Sequence, residues 1–192
     1  MTRERIYLFD TTLRDGQQTP GIDFSVEDKI AIATLLDEFG MDYVEGGYPG
    51  ANPTDTEFFK HKRTEKASFV AFGMTKRAGV SASNDPGLNA LLAANSDAIC
   101  LVAKSWDYHV EVALGCSNDE NLENIHASVE AVVASAARRW SIASISSTVT
   151  RRTPPMRSPA RKPLSMRARA GSCFATPTAA PSRRKSARSS RP

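Results

Sequence analysis

The 192-residue chain has no apolar run approaching the roughly 20 residues of a membrane span. Its cysteines, Cys100, Cys116 and Cys173, are odd in number and fall in no metal-type spacing, which argues against a disulfide framework or a zinc site. The three histidines, His61, His109 and His126, stand apart and form no His-x-His pair. Gly73 and Gly79 make no dinucleotide fingerprint, and no phosphate loop is present. The first residues lead directly into a strand-like segment without a signal peptide, so the cytoplasm is the expected compartment. The sharpest absence concerns charge: no acidic residue follows Glu130.

That absence divides the chain. The first part holds all 21 acids and 11 of the 25 Lys and Arg residues, a balance of −10, and the remainder carries +14. The overall +4 averages two unlike pieces. Up to about residue 135, short apolar runs alternate with helical patterns. Strands are predicted at Ile6–Phe9, Tyr43–Gly46, Phe69–Gly73 and Ala98–Val102. Ser25 is placed to cap a helix, with Asp28 at capping-box spacing, an apolar stripe of Ile30, Ala33, Leu36 and Phe39, and Gly40 as its stop. Further helices are expected near Pro53–His61, after Asn84-Asp85-Pro86, over Trp106–Leu114 and over Asn118–Ser135. Strands spaced by amphipathic helices make an α/β protein with a parallel sheet. Four such units are half of an eight-fold barrel, and 192 residues fall short of the roughly 250 of a complete one. An open flavodoxin-like sheet fits the same periodicity.

From residue 136 to 192, Ser, Arg, Pro and Ala dominate, and no apolar period survives. Such text cannot bury enough apolar surface to offset its ordering entropy, so disorder is expected. Arg183-Arg184-Lys185 would suit a nucleic-acid-binding arm. Trp140 and Phe174 are the tail's only aromatics, which leaves no stacking platform and argues against that role.

The most informative string is Leu8-Phe9-Asp10-Thr11-Thr12-Leu13-Arg14-Asp15-Gly16-Gln17-Gln18. It places Arg14 and Asp15 just past the first strand, the end at which barrel enzymes keep their chemistry. Taken alone, the adjacent pair is a weak signal and reads first as a surface ion pair. As a whole, the string resembles the signature of the metal-dependent barrels that condense acetyl-CoA with 2-keto acids (the 2-isopropylmalate, homocitrate and citramalate synthase family) or cleave the related hydroxy acids. A second block, Tyr43-Val44-Glu45-Gly46-Gly47-Tyr48-Pro49-Gly50-Ala51-Asn52-Pro53-Thr54-Asp55, resembles the citramalate branch, as does Lys104-Ser105-Trp106-Asp107-Tyr108-His109-Val110. The likeness covers residues 4 to about 135.

The resemblance implies the N-terminal half of a TIM barrel and a Claisen condensation of acetyl-CoA with pyruvate that yields citramalate and CoA. It implies Mg²⁺ or Mn²⁺ chelating the keto acid, with Asp15 as an oxygen ligand for the hard cation. Arg14 would supply positive charge where alkoxide develops. Gln18 would orient the keto acid. Glu45 would face the same mouth, as a substrate contact or as a structural hydrogen-bond partner. The family's other metal ligands are a His-x-His pair and an Asn from later strands, so the metal site is incomplete here. A homodimer is the family's usual state.

The tail has a second reading. Taken one base out of register, Ile142 through Arg151 can encode D-C-E-H-F-F-D-G-Y-K, and Ala170 through Ala180 can encode R-W-V-V-L-C-D-T-N-G-G. Both strings resemble the family's continuation, in the right order and at one offset. A lost or gained base near Ser135 then accounts for the missing acids and the Arg/Ser/Pro bias. The alternative is a genuine basic tail.

Overall fold

The computed structural model describes residues 5–61, 64–136 and 143–147. Five strands form one all-parallel sheet in the order β1-β2-β3-β4-β5: β1 (Phe9–Asp10), β2 (Tyr43–Gly47), β3 (Ser68–Met74), β4 (Ala98–Ala103) and β5 (Ala143–Ser147). The helices between them are α1 (Val26–Phe39), α2 (Pro53–Phe58), α3 (Pro86–Ala93), the single turn α4 (Asp107–His109) running into a π-helical turn at Val110–Leu114, and α5 (Asn118–Ala136).

Strand order decides between the two architectures that periodicity left open. An open doubly wound sheet reverses its order at a switch point, as in 2-1-3-4-5. Here each strand pairs with its sequence neighbour, and right-handed crossovers then place every helix on the same side. Burial agrees. Val44, Phe69, Ala71, Ile99 and Leu101 join Ala33, Phe58, Leu88, Leu91, Val129 and Val132 in the main core between sheet and helices. The alternate residues Val70, Ala98 and Cys100, with Phe9, Tyr43 and Phe72, form a separate small cluster. Period-2 alternation assigns that cluster, and Glu45 with it, to the opposite, concave face. The chain is the N-terminal half of a (β/α)₈ barrel.

Local chemistry sets the helix starts. Ser25 Oγ accepts from Asp28 N at 3.1 Å while Asp28 Oδ2 accepts from Ser25 N at 3.0 Å, completing the predicted capping box. Asn52 and Asp85 cap α2 and α3 ahead of Pro53 and Pro86, whose missing N–H groups are harmless in a first turn. Gly40 ends α1 at φ 91°, as anticipated.

Three expectations are corrected. Phe39 is 78% exposed, outside the buried stripe of α1. Steps of three residues fall 60° short of a full helical revolution each time, so Ile30, Ala33, Leu36 and Phe39 drift off a common face. The buried line runs instead through Val26, Lys29, Ile30, Ala33, Leu36 and Asp37. β1 is shorter than expected, with Ile6, Tyr7 and Leu8 exposed, because this edge strand has a neighbour only on the β2 side. The sheet also passes the boundary expected at residue 135: Ala143–Ser147 pairs with β4 from Ile99↔Ala143 to Ala103↔Ser147. Ladder hydrogen bonds use only backbone groups, and this segment carries neither charge nor proline to oppose pairing with an open edge. Residues 148–192, and the disorder expected of them, lie outside the described residues.

Candidate active site

β1 leads into a tight turn in which Thr11 O accepts from Arg14 N (3.1 Å), Asp15 N (2.7 Å) and Gly16 N (3.3 Å). Leu13, fully buried, pins this turn to the core. A short 3₁₀ turn at Gly16–Gln18 follows. The four residues expected at the site therefore sit at the C-terminal end of the parallel strands, three on this turn and Glu45 on β2.

Arg14 and Glu45 meet directly. Arg14 Nε donates to Glu45 Oε2 at 2.5 Å, with the two side chains 16% and 2% exposed. The guanidinium carbon lies 4.1 Å from the centroid of the Phe72 ring, a cation–π contact that covers one face of the cation. Tyr48 packs edge-on against Phe72, ring centroids 5.6 Å apart. Burial pushes the Glu45 carboxyl up from its ordinary 4.5, against the opposing pull of Arg14 and a hydrogen bond from the Cys100 thiol. Glu45 Oε2 is thus engaged by Arg14 within a buried setting.

Asp15 faces outward with its side chain 60% exposed, 3.4 Å from Arg14 Nη1. Together with Asp10, Thr11, Gln18 and Pro20 it lines an open cleft of about 590 Å³ beside β1. Asp10 is already engaged, accepting from Thr12 N at 2.9 Å and Thr12 Oγ1 at 3.1 Å. Asp15 thus presents an exposed carboxylate to the cleft, with only a long contact to Arg14. Among the described residues, no group of three or more His, Cys, Asp or Glu side chains could hold a metal ion. Among the described residues the donor set is too small to complete a metal centre.

The site also depends on residues that the sequence pattern does not mark. Phe72 has the character of an ordinary apolar strand residue. Lys29 and Asp55 form a buried ion pair behind the strand ends, with side chains 0% and 6% exposed. A lysine on an amphipathic helix ordinarily reads as solvent-facing. The one sequence signal is its place four residues ahead of Ala33, on the buried line of α1.

Replacing Glu45 with Gln should change the pH dependence of stability. A carboxyl whose folded pKa is raised contributes stability that is present below its ordinary 4.5 and lost as pH climbs through the folded value. Urea unfolding from pH 4.5 to 8 should show this decline in the parent chain and not in Glu45→Gln. An equal decline in both would assign it elsewhere.

The chain matches the HMGL-like family over residues 5–157 and belongs to it. Within that family it is 54% identical to the (R)-citramalate synthase of Streptomyces coelicolor over 123 residues, which cover 62% of this chain and 23% of that protein. It is 46% identical to the (R)-citramalate synthase of Aquifex aeolicus over 130 residues, covering 66% and 25%. A 2-isopropylmalate synthase of Listeria innocua is 38% identical over 122 residues, covering 64% of this chain and 23% of that protein. The chain thus spans about a quarter of the length of these relatives. Among solved structures, the hydroxymethylglutaryl-CoA lyase of Pseudomonas aeruginosa superposes with a TM-score of 0.54 at 22% identity, covering 73% of this chain and 46% of that one. The HMG-CoA lyase of Brucella melitensis gives 0.56 at 16% identity, covering 74% and 49%. These two structures support the fold alone. Among the described residues, no helix is long and apolar enough to cross a membrane.

Proposed function

We propose that this chain carries the N-terminal part of an (R)-citramalate synthase, an acyltransferase that condenses acetyl-CoA with pyruvate and hydrolyses the thioester to release citramalate and CoA. The observation that carries this reading is the Arg14–Glu45 pair beside the exposed Asp15 carboxylate at the strand ends. The choice of pyruvate over the keto acids of 2-isopropylmalate or homocitrate synthesis rests on identity: 44–54% to five (R)-citramalate synthases and 36% to one named as putative, against 35% and 38% to two proteins named as 2-isopropylmalate synthases, one of them as probable.

In this reading Arg14, oriented by Glu45 and Phe72, presents a fixed positive charge where the keto oxygen becomes an alkoxide. Gln18, exposed on the cleft wall, orients the keto acid. Among the described residues, Asp15 would be a ligand to Mg²⁺ or Mn²⁺, which when bound would supply Lewis-acid polarisation of the keto acid. The remaining ligands belong to later strands, as does the base for the acetyl-CoA methyl group. A homodimer, a cytoplasmic location and a place in branched-chain (isoleucine) amino-acid biosynthesis belong to the same reading.

The residues from about 136 onward are best explained as the family's own continuation read one base out of register. Sequencing the gene across the codons for Val132–Arg139 tests this cheaply. An open frame in another register, encoding the two family-like strings, is the expected result. A gene with no such frame would make the basic tail genuine.

A further inference from the structure

Lys29 is wholly buried on α1, and all three of its ammonium protons are engaged. Nζ donates to Leu13 O at 2.8 Å, to Gly46 O at 3.1 Å, and to Asp55 Oδ1. The other Asp55 oxygen accepts from Tyr48 N at 2.8 Å. A buried ion pair is poor evidence of a stabilising device, because desolvating both charges offsets much of their attraction and apolar side chains of similar volume often do as well. The location of its partners is more informative. Leu13 immediately precedes Arg14, and Gly46 immediately follows Glu45. One ammonium therefore holds the backbones of both strand ends together, with the two carbonyl oxygens no more than about 6 Å apart. Arg14 and Glu45 join the same two strand ends through their side chains.

We infer that Lys29, anchored by Asp55, is a positioning residue of this site: it ties the Leu13 carbonyl to the Gly46 carbonyl and thereby fixes Arg14 relative to Glu45. The register slip between β2 and β3 at Gly46 fits this role. A bulge redirects the strand locally, and bulges recur where a side chain must be aimed. Asp55 acts on both sides of the knot, fixing the ammonium and, through Tyr48 N, the chain leaving β2. Lys29 touches neither cleft nor ligand, so its effect on chemistry passes through Arg14.

The inference rests on the reading of Arg14 and Glu45 as the working pair, but its test needs neither metal nor substrate. The full chain, labelled with ¹⁵N-arginine, should give a solvent-protected Arg14 Nε–H signal at neutral pH, assigned by its disappearance in Arg14→Lys. In Lys29→Met this signal should lose protection about tenfold or more and shift toward a free guanidinium. Val132→Ala, a core truncation on α5 away from the strand ends, should lower the melting temperature and leave the signal in place. An unchanged Arg14 signal in folded Lys29→Met would overturn the inference, as would an equal loss in Val132→Ala. Should Lys29→Met fail to fold, Asp55→Asn decides: loss of Arg14 protection supports the anchored clamp, and full protection overturns it. Failure of the condensation reading would leave these signals unaltered, so the two can fail separately.

Discussion

Asp37→Ala is expected to cost this chain about 2–4 kcal/mol, a large fraction of the roughly 5–15 kcal/mol that holds a domain folded. The buried Asp37 carboxylate lies near the C-terminal end of α1 and accepts three consecutive backbone N–H groups: Glu65 at 3.1 Å, Lys66 at 2.9 Å and Ala67 at 2.6 Å. It thereby fixes the segment that enters β3. Glu65 and Lys66 are exposed, so water can replace the lost oxygen there, but the Ala67 N–H is buried and would be left unpaired. Asp37→Asn keeps one carbonyl oxygen and should fall between the parent and the alanine variant. Burial alone would raise the Asp37 pKa, yet the three N–H donors and Lys66 outweigh it and hold the group below 3.8. Stability from a depressed carboxyl is present above its ordinary value and lost as pH falls through the folded one. Acid unfolding below pH 3.8 should therefore be much weaker in Asp37→Ala relative to its own neutral stability. Urea titrations at neutral pH and near pH 3 measure both effects, and a loss under about 1 kcal/mol at neutral pH would contradict the account.

Gly47→Ala should be comparably damaging, for reasons of backbone and space together. Gly47 has φ 145°, in a region that side-chain-bearing residues rarely enter, at a cost of about 1–3 kcal/mol. A Cβ there would lie 2.4 Å from the Asp55 carboxyl carbon, so the carboxylate that anchors Lys29 would have to move. Gly46 has no room either, since its Cβ would fall 2.1 Å from Cζ of Phe69. The paired glycines that set the Glu45-Gly46-Gly47 block apart in the sequence thus have a local physical reason. Thermal unfolding should show Gly47→Ala melting well below the parent, with Gly79→Ala, another positive-φ glycine but with open space around it, losing less. Equal losses would mean that the clash with Asp55 is unimportant.

Elements governed by local chemistry are legible in the amino-acid sequence. Ser25 with Asp28, Asn84-Asp85-Pro86 and the apolar runs of β2, β3 and β4 each act within a few residues, and each lies where its sequence pattern places it. The Arg14-Asp15 string and Glu45 are legible through motif resemblance, and they lie at the mouth that resemblance implies. Contacts across long sequence separations are not legible. Lys29, Asp37 and Asp55 are charged residues on helices, and a single sequence reads them as solvent-facing. Their burial depends on carbonyls, carboxylates and N–H groups 16–30 residues away. Phe72 is apolar on a strand, and nothing local marks it as the ring beneath Arg14. β5 is hidden for a different reason: Ala143–Ser147 pairs through backbone groups that every residue possesses, within a stretch whose composition argues against order.

The most direct test of the central claim is CoA release from acetyl-CoA and pyruvate, with Mg²⁺ or Mn²⁺, measured on two proteins: this chain, and the product of its gene with one base restored near the codons for Val132–Arg139. The restored protein should turn over at about 1–1000 s⁻¹, and Asp15→Ala should abolish that turnover. This chain should release no CoA above background, since it brings one carboxylate to the metal and no His-x-His pair. Turnover by this chain at an ordinary enzymatic rate, abolished by Asp15→Ala, would contradict the account.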